Sequence, residues 1–487
     1  MKKKNSLFSR RSFLQAAAVV GAAGALPQVA RANDKDTAVA QAPMHTTSSG
    51  APRPNIIYIH SHDTGRFLWP YGHMVDTPSI RKLAMEGVLF RSAFSGAPTC
   101  SPSRACIATG QTAHEAGMLG LVNMGFQMPD YSHHICHTLH AAGYHTVLVG
   151  LQHIAPRPQM IGYDELLPHK TDRVADVAPG AVSYLLSKPQ QPFFMDCGFF
   201  ETHRATRQGR EFGYPEDTPL DNPNYVKVPF NLPDVPDTRK DIAGFNADAR
   251  VLDLGVGMVM DALEKAGLRE NTIVINTTDH GIAYPHMKCD LSDNGWGVSM
   301  IMRGPKPFQR GTVCDAMVSQ IDLFPTLCDY LGISKPAWCD GKSFLPVLRG
   351  EKDEVNEAVF AEVNYHVAYE PKRAVRTKRY KYIKRYDDRT TDVLNNCDWG
   401  LSKRYWLSKD WKYQRLESEE ELFDLVFDPA EHNNLAKDPA HAEVLTDMRR
   451  RLQAWQAATN DPLLKGPVPL PPGARAASAD ETGPEHM

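Results

Sequence analysis

The sequence predicts an α/β protein with a mostly parallel sheet flanked by helices, followed by a smaller C-terminal α+β domain. Short buried apolar segments alternate with helical segments through the first 355 residues, which is typical of parallel sheets. Polar side chains directly follow several of these strands. After roughly residue 355 the pattern changes to short alternating strands and one long helix.

The N-terminus has the features of an export signal. Residues 9–15 (Ser-Arg-Arg-Ser-Phe-Leu-Gln) resemble a twin-arginine motif, and the apolar residues 16–26 are too few to span a bilayer. Residues 30–32 provide an A-x-A cleavage site. We therefore expect a signal peptide over residues 1–32, no stable membrane insertion, and a periplasmic or secreted protein.

The charge balance excludes a protein built around a broad nucleic-acid-binding surface. The formal net charge of the 487 residues is −3, and residues 1–32 hold basic but no acidic side chains, so signal removal makes the protein more acidic. We expect no nucleic-acid partner, and a few local groups would recognise an anionic substrate. The nine cysteines are scattered and form no visible disulfide framework.

Four predicted strands share one feature, which is that polar residues follow them directly. The apolar strand segments and these residues are 55–60 with His62 and Asp63, 146–149 with His153, 193–199 with His203, and 272–276 with Asp279 and His280. Helical patterns at 79–86, 133–142 and 248–266 lie between them, and residues 205–240 predict a long surface excursion. Because the carboxyl ends of parallel strands share one edge, we expect these polar side chains to gather there.

A candidate nucleophile precedes another predicted helix. Ser101 is a good N-cap and Pro102 suits the first helical position, so the helix is predicted to begin at Pro102. Cys100 would then lie just ahead of unpaired backbone N–H groups, a setting that favours an anion and activates a nucleophile. Arg104 falls in the first turn, close enough to serve both Cys100 and a bound oxyanion.

The C-terminal domain is predicted from three strands and a helix. The strands are expected at 358–363, 373–377 and 379–386, and the helix at 441–458. Residues 465–487 are rich in proline and small residues, so we expect a flexible tail. The predicted divisions of the exported chain are a linker at 33–53, a catalytic domain at 54–355, an α+β domain at 356–464 and the tail.

Residues 100–104, Cys-Ser-Pro-Ser-Arg, followed by Thr109 and Gly110, resemble the sulfatase motif. The likeness to that family also covers residues 55–65, 278–281, 319–327 and 421–436, and is strongest toward its sulfamidase members. The resemblance implies an alkaline-phosphatase-like fold and hydrolysis of a sulfate ester or sulfamate. It further implies that a formylglycine-generating enzyme oxidises Cys100 to formylglycine, the family's nucleophile.

The resemblance also implies roles for the other residues near Cys100. Arg104 would orient the formylglycine, His153 would assist release of sulfate, His203 would protonate the leaving group, and Lys288 would clamp the sulfate. The family's divalent metal, usually calcium, would be bound by His62, Asp63, Asp279 and His280 together with residue 100. Two imidazoles suit Mn, Zn or Fe better than calcium, and His62 could equally line the metal site without binding the ion.

One departure from the family concerns the sulfate pocket. The family's lysine two residues before the active-site histidine is Leu151 in this chain, so one basic contact is missing. Arg204 and Arg66 are the candidates to replace it.

The expected substrate is a small sulfated compound, most simply a sugar. Two alternatives remain at this point. A phosphonate monoester or phosphodiester hydrolase of the same superfamily is one, because of the Asp279-His280 pair. An inactive glycan-binding protein is the other, because of Leu151, although a binder has no need of the intact residues 100–104.

Overall fold

The computed structural model describes residues 52–207, 210–309, 311–411 and 418–483. The predicted signal peptide and all but two residues of the predicted linker lie outside these ranges. The strands are β1 (Asn55–Ser61), β2 (Val88–Phe90), β3 (Ala93–Phe94), β4 (His145–Gly150), β5 (Glu165–Leu166), β6 (Phe193–Gly198), β7 (Arg204–Arg207), β8 (Arg210–Phe212), β9 (Thr272–Thr278), β10 (Met300–Arg303), β11 (Thr312–Cys314), β12 (Val318–Ser319), β13 (Val359–Tyr365), β14 (Tyr369–Arg376), β15 (Tyr380–Arg385) and β16 (Glu420–Asp424). The helices are α1 (Pro78–Glu86), α2 (Cys100–Thr109), α3 (Ile135–Ala141), α4 (Val174–Leu186), α5 (Pro236–Lys265), α6 (Asp293–Trp296), α7 (Leu323–Leu331), α8 (Leu345–Leu348), α9 (Leu401–Leu407) and α10 (Ala442–Ala458).

An eight-stranded sheet in the order β11-β2-β10-β9-β1-β6-β4-β5 forms the larger part of the molecule. β1 lies at its centre and pairs in parallel with β6 and β9, while β10 runs antiparallel to both of its neighbours. The predicted mostly parallel sheet flanked by helices is therefore confirmed.

Both faces of this sheet are covered, which explains the nearly continuous apolar strands. Successive side chains of β1 point to opposite faces. Ile57 packs with Val177 of α4 and Leu252 of α5, whereas Ile56 packs with Ile107 of α2 and Leu327 of α7. The carboxyl ends of the central strands consequently emerge between two helical layers.

Helix α2 begins two residues earlier than the sequence predicts. Thr99 is extended and its carbonyl accepts the N–H of Ser103 at 2.9 Å, so Cys100 is the first helical residue. The Ser101 hydroxyl does not cap the helix, because it accepts the N–H of Val122 at 3.1 Å. The prediction that Cys100 precedes the helix was wrong, although it does lie in the first turn.

Helix α5 begins at Pro236, well before the predicted start at residue 248. Its first turns bury polar and small residues, including Asp241, Gly244 and Asn246, which hide the apolar periodicity of the segment. The expected surface excursion is correspondingly shorter.

A separate antiparallel sheet in the order β13-β14-β15-β16 confirms the smaller C-terminal α+β domain. α10 covers one face of it, where Leu445 and Leu452 pack against Val375 and Tyr382. The exact domain boundary near residue 355 stays a prediction. Within the described ranges, no helix is both long and apolar enough to cross a membrane.

Residues 466–483, here called the C-terminal strap, contradict the prediction of a flexible tail. Val468 is buried, its carbonyl accepts the Tyr365 hydroxyl at 2.6 Å, and its N–H donates to the Tyr369 hydroxyl at 2.9 Å. Ala477 forms a parallel bridge with Ala368. Main-chain hydrogen bonds of this kind leave no trace in composition, so the proline-rich sequence gave the wrong expectation.

Candidate active site

The polar residues that follow β1, β4, β6 and β9 meet at one edge of the large sheet. The His62 ring lies 4.3 Å from that of His203 and 5.5 Å from that of His153, measured between centroids. The Asp63 N–H donates to the Asp279 carboxylate at 2.9 Å. The sequence-based expectation that these side chains gather therefore agrees with the structure.

Five of these donors form a cluster that fits one metal ion. Among the described residues, the ligand atoms of His62, Asp63, Cys100, Asp279 and His280 all lie within 4.8 Å of one another, and all five residues are buried. His62 Nδ1 is 2.7 Å from Asp63 Oδ1 and 3.2 Å from Asp279 Oδ2. Because this nitrogen faces the carboxylates, the arrangement favours His62 as a ligand over a lining residue.

Positive side chains surround the two carboxylates. Lys288 donates to Asp63 at 2.9 Å, and Arg104 donates to Asp279 at 3.0 Å. Burial alone would raise the pKa of Asp63, but the Lys288 ammonium lowers it below the usual range. Burial would lower the pKa of Lys288, but Asp398 and Asp63 raise it well above its ordinary value. The carboxylates and the ammonium are therefore all charged.

Arg104 is held from behind by a chain of hydrogen bonds. Its Nη1 lies 2.5 Å from His60 Nδ1, His60 Nε2 lies 2.9 Å from Asp196, and the Tyr163 hydroxyl donates to Asp196 at 2.6 Å. A guanidinium can only donate, so His60 Nδ1 accepts and its Nε2–H donates to Asp196. The chain fixes the direction in which Arg104 approaches Asp279.

Cys100 is only 1% exposed, and burial raises the pKa of its thiol well above the ordinary value. The expectation that a helix N-terminus activates this side chain was wrong for the thiol itself, because desolvation outweighs the helix dipole. His280 Nε2 lies 3.4 Å from its sulfur. A nucleophile at this position therefore needs chemistry other than thiolate formation.

His203 and His153 flank the cluster on the sheet edge. His203 Nδ1 donates to the Arg204 carbonyl at 2.6 Å, which leaves Nε2 facing Lys288 Nζ at 3.3 Å. Burial lowers the pKa of His153 to about 3, so its ring is neutral. His153 also borders a cleft of about 500 Å³ whose lining is largely apolar and includes Leu151, Pro156 and Leu167.

The two arginines predicted to contact substrate have other partners. The Arg204 guanidinium donates twice to Asp241 at 2.8 Å and once to the Ala283 carbonyl at 2.7 Å. Arg66 donates to the Ala93 carbonyl at 2.8 Å and stacks on Phe94. The prediction that these guanidiniums bind substrate was wrong, because their hydrogen bonds are used for packing.

Two residues of the C-terminal part reach the site, and the sequence did not predict them. His366 is 5% exposed and places Nε2 3.7 Å from the Cys100 sulfur, while its Nδ1 has no hydrogen-bond partner among the described residues. Asp398 lies 2.8 Å from Lys288 and 3.9 Å from His203. His366 does directly follow β13, so the signal used for the parallel strands could have found it. Asp398 lies in an irregular segment that carries no such signal.

Comparison with known families gives three matches. The model described as sulfatase matches residues 54–333, and the model described as the C-terminal part of N-sulphoglucosamine sulphohydrolase matches residues 287–400. The twin-arginine translocation signal model matches residues 7–27. The third match supports export of the chain.

Individual proteins give the same picture. N-sulphoglucosamine sulphohydrolase of Homo sapiens is 28% identical over 445 residues, covering 81% of this chain and 88% of its own length. A protein solved in complex with its substrate D-glucosamine-2-N,6-O-disulfate has a TM-score of 0.64 at 19% identity, with coverages of 85% and 99%. Phosphonate monoester hydrolase of Agrobacterium radiobacter has a TM-score of 0.64 at 20% identity, with coverages of 86% and 100%. Structural likeness at these identities shows the fold alone.

Proposed function

The chain belongs to the sulfatase family, and we propose that it removes sulfate from a sulfated amino sugar, as an N-sulfate or an O-sulfate. The similarity to N-sulphoglucosamine sulphohydrolase supports this substrate class. One observation carries the proposal at atomic level. Five metal-ligand donors surround position 100, and the charged groups of Lys288 and Arg104 lie beside them.

The ligands of the proposed metal would be His62, Asp63, Asp279, His280 and an oxygen of residue 100. A bound divalent cation would supply charge neutralisation for the sulfonate oxygens. Two imidazole nitrogens in the set favour Mn²⁺, Zn²⁺ or Fe²⁺ over Ca²⁺, which prefers oxygen ligands. The identity of the metal is thus part of the proposal.

A formylglycine at position 100, made from Cys100 by a formylglycine-generating enzyme, would supply the attacking hydroxyl in place of the buried thiol. Arg104, fixed by His60 and Asp279, orients residue 100. Lys288 binds a sulfonate oxygen through its ammonium, which Asp63 and Asp398 hold in place.

Departure of the sugar requires a proton, because alkoxide and amide ions are poor leaving groups. His203 carries this proton at Nε2, which lies among Lys288, Asp63 and Asp398. The bond from sulfur to the sugar oxygen or nitrogen breaks as that atom takes the proton. His153, kept neutral by burial, accepts a proton from residue 100 when sulfate is released.

Phosphonate monoester hydrolysis remains a second candidate, supported by the shared fold and the Asp279-His280 pair. A binding protein without activity is not supported, since the nucleophile, the metal ligands and the proton donor are all together. The signal sequence supports action in the periplasm or outside the cell.

A substrate screen on protein co-expressed with a formylglycine-generating enzyme tests the proposal. We expect turnover of glucosamine N-sulfate or glucosamine 6-O-sulfate, and none by Cys100→Ala, with the aldehyde form of peptide 100 visible by mass spectrometry. Turnover of phenylphosphonate esters alone would contradict the proposal in favour of the second candidate. Full activity of protein that contains only the unmodified thiol would contradict the proposed nucleophile.

A further inference from the structure

The C-terminal strap crosses the molecule beside the nucleophile. The Arg475 N–H donates to the Met124 carbonyl at 2.9 Å, and the Ala477 N–H donates to the Val367 carbonyl at 2.8 Å. Met124 belongs to the segment that follows α2, whereas Val367 follows β13 and is the neighbour of His366. The strap therefore joins the two parts of the molecule that supply the site.

Its inner side packs into the apolar cluster that contains the nucleophile. Cys100, Leu121 and Val367 form this cluster, and Met124 and Ala477 pack against it. The strap also approaches the backbone of the same segment closely. A Cβ on Gly125, whose φ is +90°, would lie 2.5 Å from the Gly473 carbonyl oxygen. Cys100 is consequently covered from this side.

Polar contacts hold the outer part of the strap. Asn395 donates to the Ser478 carbonyl at 3.3 Å, and Arg389 forms a 2.8 Å ion pair with Asp480, whose side chain is 85% exposed. Exposed ion pairs contribute little stability. The strap is thus anchored chiefly by its main-chain hydrogen bonds and the packing of Ala477, a combination that a single substitution can release.

The exposed parts of the site lie among other residues. His203 and Asp398 are each about one-fifth exposed, and the cleft beside His153 opens at the end of β4. A sugar can reach the site past these groups. A saccharide that continued across the nucleophile in both directions would need the space that the strap occupies.

We propose that the C-terminal strap closes one side of the pocket and restricts the enzyme to sulfate on a monosaccharide or on the terminal residue of a saccharide. This inference rests on the proposed function, whose substrate class it narrows. Sulfate groups within a saccharide chain are excluded by the strap and not by the residues that cleave the bond.

The first test measures the cover itself and needs no activity. Protein made without the formylglycine-generating enzyme keeps the Cys100 thiol, and peptide mass spectrometry reports its reaction with a maleimide. We expect Ala477→Pro, which removes the N–H that donates to Val367, to label Cys100 at least about tenfold faster than the unaltered chain. Ala477→Ser keeps the N–H and the small size, so it should label as slowly as the unaltered chain. Equal labelling rates in all three would overturn the inference.

The second test measures substrate choice on the matured enzyme. Glucosamine N- or O-sulfate is compared with an oligosaccharide that carries the same sulfate only on internal residues. The unaltered chain and Ala477→Ser should release sulfate from the monosaccharide alone, and Ala477→Pro or deletion of residues 467–487 should gain activity on the oligosaccharide. Release of internal sulfate by the unaltered chain at the monosaccharide rate would overturn the restriction. Inactivity on every sulfate would contradict the proposed function instead, and the labelling rates would still decide whether the strap covers the nucleophile.

Discussion

The metal cluster and the C-terminal contributions to the site are built in different ways. His62, Asp63, Asp279 and His280 follow adjacent parallel strands of one sheet, and all four are completely or almost completely buried. His366 comes from the turn after an antiparallel strand, and Asp398 and the strap come from irregular segments. The first set is fixed by a sheet packed on both faces, the second by a few side-chain and main-chain hydrogen bonds.

This difference indicates a division of labour. A rigid sheet edge holds ligands to the precision that a metal and a nucleophile require. Irregular segments can change in length and sequence without disturbing the sheet, so they suit contacts with the rest of the substrate. We therefore expect substitutions in the two sets to affect different measurements, and the following predictions test that separation.

The largest effect is expected from loss of the metal ligands. Asp63→Ala combined with Asp279→Ala should remove the bound metal, measured by elemental analysis, and lower kcat/KM by roughly a thousandfold or more. Asp398→Asn, which touches Lys288 but not the cluster, is the control and should keep its metal. Full metal occupancy in the double variant would show that the ion lies elsewhere.

A large but selective effect is expected at the proton donor. His203→Gln should lower turnover of a sugar sulfate by about 10²–10⁴-fold, because general acid catalysis is lost. Nitrophenyl sulfate has a good leaving group and should be affected far less. An equal loss on both substrates would contradict the role of proton donor.

A smaller effect is expected behind Arg104. Asp196→Asn keeps the size of the side chain but weakens its hold on the Nε2–H of His60, so Arg104 loses its fixed direction. We expect kcat to fall by roughly tenfold, with KM and metal content unchanged. Asp196→Glu should restore part of the rate. A change confined to thermal stability would mean that the hydrogen-bond chain only supports the core.

The smallest effect is expected at His366, which belongs to the second set. His366→Gln should raise KM for the preferred sugar sulfate by about tenfold or less, with little change in kcat for nitrophenyl sulfate. Metal content should not change. A loss of metal in this variant would contradict the separation of the two sets.

The sequence predicted the first set well because its signals are local. A buried apolar strand followed by acidic and imidazole side chains needs no knowledge of distant contacts, so the gathering at β1 and β9 could be expected. The start of α2 was missed because the Ser101 hydroxyl bonds to Val122, a residue far along the chain. Hydrogen bonds of that kind cannot be inferred from helix-capping preferences.

The second set depended on long-range partners throughout. Arg204 looked available for substrate until the structure paired it with Asp241, a residue in a helical turn whose pattern the sequence had hidden. The composition of the strap resembles that of a flexible tail, and its order comes from contacts with Met124 and Val367. In both cases one partner lies in a segment that periodicity alone does not define.

The burial of Cys100 has a consequence for the life history of the protein. The side chain is 1% exposed, at the first turn of a helix enclosed between two parts of the fold. An enzyme that oxidises it must therefore reach it before the chain has closed around it. Twin-arginine signals direct proteins that are already folded. Oxidation first, folding second and export third is the order of events compatible with both features.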